Sequence, residues 1–207
     1  MNHRMRWRAA LQRLIWSVCV SALLATSANA HLVNTGLGPF YDGVSHVLLS
    51  PEDLIPVIAM ALLAGLNGPA AGRHTLFALT GAWLVAGVLG SLVAKPLLPA
   101  AVTTGSFLLL GTLTAADRRL SPAAVATLAV AIGVLHGWLN GAGTGVVKPA
   151  TVGVLFGVTS AIFVLVAIVA ATAVATRPAW ARVAFRVAGS WIVAIGLLML
   201  GWELRKI

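Results

Sequence analysis

The residues of this sequence with the chemistry to hold a cation are few, and most of them fall within one short stretch. Asp42, His46, Glu52 and Asp53 lie in FYDGVSHVLLSPEDL. His136 and Asn140 stand four residues apart in LHGWLNG, a spacing that puts both on one face of a helix. His31 follows Ala28-Asn29-Ala30; cleavage after Ala30 would leave an amine and an imidazole together on one residue, a chelating pair, whereas without a metal His31 is simply the residue after the cleavage site. Imidazole and carboxylate with no thiolate suit borderline divalent metals such as nickel, cobalt or zinc. The single cysteine, Cys19, precedes that cleavage site, so the mature chain has neither a disulfide nor a thiolate ligand.

Two local geometries compete for the acidic stretch. In one continuous helix, Asp42, His46 and Asp53 fall on one face at spacings of four and seven. Alternatively, Pro51 breaks that helix, and Ser50-Pro51-Glu52-Asp53 reads as a helix start. Ser50 is then the N-cap, Pro51 the first helical residue and Asp53 the partner in a capping box. Acids there also suit the positive end of the helix dipole. Capping accounts for Glu52 and Asp53 but leaves His46 and Asp42 unexplained.

The surrounding chain must place these groups inside a membrane. Of its 207 residues, 59% are hydrophobic and only 9% charged, against about 25% charged in a soluble domain. The fold class expected is all-α, a polytopic transmembrane helical bundle. The formal charge of +9 does not signal nucleic acid, because the basic residues are scattered between apolar runs. Residues 1–30 read as a secretory signal peptide: an arginine-rich start, a short apolar region over 14–24 and an A-x-A site. The alternative is an uncleaved first span, for which that region is short. Residues 31–207 then form a single transmembrane domain.

Residues 31–43 read as an extracytoplasmic loop. Six spans are expected after it: roughly 52–66 with a half-helix over 44–49 leading in, then 74–94, 97–116, 122–140, 150–176 and 187–203. Arg73, Arg118, Arg119, Arg177, Arg182 and Arg186 fall in loops on one side, with Lys95, Lys148, Arg205 and Lys206 on the other. The positive-inside rule makes the first set cytoplasmic and leaves the mature N-terminus outside the inner (plasma) membrane. The stretch 177–186, RPAWARVAFR, suits a short amphipathic piece along the interface. Gly133, Gly137 and Gly141, with Gly153 and Gly157, recur at four-residue spacing, the pattern by which helices pack closely in lipid. His136 lies fourteen residues after Pro122, about 21 Å along a helix. It would therefore sit in the outer third of the bilayer, near the level at which His46, Glu52 and Asp53 enter from outside.

With a leader, an outside segment containing His46 ahead of a short first helix, and a later helix carrying His136-Gly137, the chain resembles the HupE/UreJ family. These are small membrane proteins associated with nickel hydrogenase and urease and regarded as nickel or cobalt permeases. The family's first motif reads roughly HPxxGxDH; here it falls on His46 to Asp53, with Glu52 in the Asp place and Asp53 in the final His place. The second reads roughly HGxxHGxE; here His136, Gly137 and Gly141 keep the pattern, while Asn140 replaces the second His and Gly143 the Glu. The resemblance implies a permease for a divalent transition metal, nickel or cobalt, as cargo. His46, Glu52, Asp53, His136 and Asn140, with Asp42 and His31, are the candidate ligands.

The expected partners are the lipid bilayer, the divalent metal and metalloenzyme maturation proteins. No tightly bound cofactor is expected, nor an enzyme: the chain has no HExxH and no phosphate-binding GxxxxGK[ST] loop. The competing function is a non-transporting membrane accessory or assembly protein, whose polar residues serve helix packing. A haem carrier using His46 and His136 would rest on two histidines alone.

Overall fold

A computed structural model describes residues 34–93, 101–143, 149–176 and 178–205. The leader 1–30 and His31 lie outside the described residues. Among those described, the only regular secondary structure is helical: α1 (Pro39–Leu49), α2 (Pro51–Leu66), α3 (Pro69–Gly90), α4 (Ala101–Ala115), α5 (Pro122–Gly143), α6 (Pro149–Ala175) and α7 (Ala179–Leu204). Five of these begin on a proline, whose fixed φ suits the first helical position and whose missing N–H would have had no partner there.

Helix α2 is the axis of the bundle, touching each of the other six described helices. Its side chains explain how. From Val57 to Gly65 nearly every residue is small or aliphatic and buried, which lets neighbours close on it from all sides. Around it, α5 lies along α3, α7 along α4, and α6 along α1, α2 and α3. Glycines set the two closest approaches. A Cβ on Gly137 or Gly141 would collide with the backbone carbonyl of Trp83 or Gly87 on α3, and one on Gly157 with that of Phe40 on α1. The small-residue spacing legible in the sequence is thus the contact line of α5 with α3 and of α6 with α1.

The six spans expected are not confirmed among the described residues. Three described helices are long and apolar enough to cross a membrane, over Pro122–Ala142, Thr151–Ala175 and Ala179–Leu204, or four if α1 and α2 count as one bent span. Helix α3 has the length, but Arg73 and His74 dilute its apolar run. Of helix α4 the described part is Ala101–Ala115, against the roughly 20 residues a span needs. The first helical segment also begins earlier than expected, at Pro39 rather than after residue 43. The expected interfacial piece is not separate: residues from Ala179 onward are the first turns of α7, because Pro178 sits in extended backbone as its N-cap and nothing after it breaks the helix.

The turns 67–68 and 116–121 and the start of α7 meet at one end of the bundle. Asn67 Oδ1 accepts the Leu120 N–H at 2.7 Å, and Arg182 Nε and Nη2 donate to Asp117 at 2.5 and 2.8 Å. Arg73, Arg118, Arg119, Arg182 and Arg186 lie in or near these turns, and Asp117 is the one acid among the described residues there.

Candidate functional site

At Ser50 the chain turns through 74° between α1 and α2. This settles the competition between one helix and two. In a straight helix, seven residues would separate His46 from Asp53 by about 10 Å along the axis. The turn instead brings His46 Nε2 to 3.5 Å from Asp53 Oδ2. Ser50 is the N-cap residue of α2, but its side chain makes no capping bond. Nor does Asp53 close a capping box; its carboxylate turns into the bundle, where stronger donors wait.

Those donors come from α5. His136 Nδ1 lies 2.9 Å from Asp53 Oδ1, and Asn140 Nδ2 donates to Asp53 Oδ2 at 2.9 Å. Asn140 Nδ2 also donates to the His136 carbonyl at 3.0 Å, while its Oδ1 lies 2.6 Å from His46 Nε2. With both amide protons so used, Asn140 Oδ1 can only accept, so His46 carries its hydrogen on Nε2. In the neutral imidazole this leaves the lone pair on His46 Nδ1, 3.4 Å from Ser50 Oγ. Asp53 is 4% exposed and His136 1%; His46, with 13% of its side chain exposed, and Asn140 are only partly buried.

The inner edge of the cluster is built by residues the sequence did not single out. Trp83 lies stacked on the His136 ring, with centroids 5.4 Å apart. Ser106 Oγ on α4 lies 3.1 Å from His136 Nε2 and donates to the Thr103 carbonyl at 2.6 Å. One hydroxyl has one hydrogen to give. Whether Ser106 gives it to Thr103 or to His136 Nε2 depends on the His136 tautomer. The His136 ring is thereby in contact with a side chain on another helix. A serine in the apolar run of α4 was the sequence signal for this contact, but nothing in the sequence paired it with α5.

The other expected ligands fall elsewhere. Asp42 does not join the cluster: it accepts the Thr35 N–H and hydroxyl, both at 2.7 Å, and so closes the turn ahead of α1. Because α1 turns away at Ser50, Asp42 and Asp53 no longer share a helix face. Glu52 is half-exposed at the start of α2, beside the cluster and outside its hydrogen bonds. Among the described residues, no three His, Cys, Asp or Glu side chains are arranged to hold a metal ion. The cluster is a closed network in which Asp53, two imidazoles and a carboxamide satisfy one another.

The model of the HupE / UreJ protein family matches residues 19–199, most of the chain. This protein belongs to the HupE/UreJ family. No curated protein and no solved structure matches it. Family membership and the apolar helices make it a multi-pass membrane protein. The HupE/UreJ motif positions His46, Asp53, His136 and Asn140 are the ones that converge. Asn140 meets the cluster with a group that donates twice and accepts once.

Proposed function

We propose that this protein is a permease for a divalent transition-metal ion, nickel or cobalt, and that the Asp53 cluster is the place where the ion is taken up. One observation carries the reading: a carboxylate held between two imidazoles, at a sharp break between helices, inside an otherwise apolar bundle. Ionisable groups at membrane depth are costly and mark transport sites, and broken helices form the binding sites of many transporters. Asp53 would supply the charge, His46 Nδ1 the most accessible lone pair and Asn140 Oδ1 a neutral oxygen, with His136 innermost. Glu52, half-exposed beside them, would attract the cation on its approach. To bind, the ion would displace the hydrogen bonds that now close the network. The cluster would accept a metal only by opening at the α1–α2 turn, which suits a site that must also release it.

The closure of the network also favours a second reading, in which the cluster only ties α1, α2 and α5 together in an accessory protein. Nickel and cobalt uptake into vesicles reconstituted with purified protein separates the two. For a permease, His46→Ala, His136→Ala and Asp53→Asn each lower uptake at least tenfold while the protein remains in the membrane at parental abundance. A parent that moves neither metal, or variants that all transport as it does, would leave the structural role as the function.

A further inference from the structure

The flank where α3 meets α6 carries a groove of about 310 Å³, far from the Asp53 cluster. Its walls are Leu76 and Gly72 on α3 and Val166, Ala167, Ala170 and Ala171 on α6, with Arg73 at its rim. The groove exists because the facing side chains are small: a Cβ on Gly72 would only just touch that of Ala170, at 3.6 Å. Beyond the lining residues, toward mid-helix, the rings of Phe77 and Phe163 meet edge to face at 6.1 Å. From Pro69 to Phe77 is about 12 Å along the helix. It is thus a short, mostly apolar slot with Arg73 among its lining residues.

We propose that this groove holds one anionic phospholipid, with an acyl chain between α3 and α6 and the phosphate on Arg73. The walls are apolar and lie on the outer flank of a membrane protein, so the chain of a lipid is the ligand they suit. The charge around the rim selects the headgroup. Arg73 is exposed, and Asp117, the one acid among the described residues at that end, is engaged by Arg182. Guanidinium groups bind phosphate through paired N–H donors, and basic pockets between membrane helices are recognised sites for acidic lipids. Neither feature depends on metal transport.

The test is lipid retention by the full-length protein purified in mild detergent, measured by native mass spectrometry, then rebinding of phosphatidylglycerol or phosphatidylcholine to delipidated protein. The parent should retain about one phospholipid per chain and rebind phosphatidylglycerol at least fivefold better than phosphatidylcholine. Arg73→Gln should abolish that preference. Ala171→Leu, which fills the slot from an exposed position on α6, should lower retention of both lipids at least fivefold. Arg118→Gln, at the same end but outside the groove, should behave as the parent. Equal retention by parent, Arg73→Gln and Ala171→Leu would overturn the proposal. So would an equal loss in Arg118→Gln, which would mean a diffuse charge attraction without a site.

Discussion

Asp53 and Asp117 both sit at helix ends, and each is gripped by two nitrogen donors, yet their surroundings differ in every other respect. Asp53 opens α2 in the middle of the bundle, with donors from a second helix and an imidazole from a third, and it is sealed from solvent. Asp117 closes α4 at the rim. It occupies the position past the helix end where glycine is usual, with φ of 51°, and the bonds Arg118 N–H to Leu113 carbonyl and Asp117 N–H to Thr114 carbonyl complete a Schellman turn. An acid tolerates that left-handed backbone less readily than glycine, but it places a carboxylate where Arg182 can grip it with both nitrogens. The side chains of this pair are 22% and 40% exposed. Equivalent bonding therefore carries unequal weight, since water can replace the partners of Asp117 but not those of Asp53.

Removing the buried acid should have the largest effect. Asp53→Ala leaves His136 Nδ1 and one Asn140 donor without acceptors in a dry interior, and losing one side of a buried pair typically costs about 3–5 kcal/mol. Unfolding of the purified protein in detergent measures it; a loss under about 1 kcal/mol would show that water or a rearranged Asn140 fills the gap, and would erase the contrast with Asp117. An intermediate effect is expected from Gly141→Leu, which changes none of the cluster's side chains. Its side chain would strike the Gly87 carbonyl, and overpacking of this kind costs about 1–3 kcal/mol. If the cluster depends on the close approach of α5 to α3, this variant also lowers metal uptake; unchanged uptake would make the cluster independent of that contact.

The smallest effect belongs to the rim. Arg182→Gln should cost about 0.2–1 kcal/mol, as for other exposed ion pairs. Its hydrogen bonds hold the Asp117 carboxyl below the ordinary carboxylate range. A depressed acid contributes stability in full above its unfolded pKa, about 3.9, and loses it as pH falls through the lower folded value. The difference between parent and Arg182→Gln should therefore be constant near neutrality and close below about pH 4. A difference that persisted in strong acid would mean that Arg182 acts through packing or through the α4 carbonyls rather than through Asp117.

Much of this arrangement could be read from the residues. His136 and Asn140 were bound to share a face at a four-residue spacing, and the glycines beside them marked the side that meets another helix. The starts of α2 and α5 could be read because Pro51 and Pro122 announce them. The span count could not, since Arg73 and His74 dilute the apolar run of α3. Ser106 and Trp83 escaped notice for a different reason. Each is ordinary for its own helix, and each acquires a role only from what faces it.

Composition and periodicity alone determined that this is a helical membrane protein, because no soluble chain could keep so much apolar surface with so few charges. They also determined which few polar groups had to be accounted for. Which of those groups meet was decided by the turn at Ser50. It discards Asp42, which pairs with Thr35, and brings His46 to Asp53 across a gap that a continuous helix would have held open. Local sequence fixes a side chain's position on its own helix; its partner depends on the angle at which the next helix departs, and that angle is set by how α2 packs among all the others.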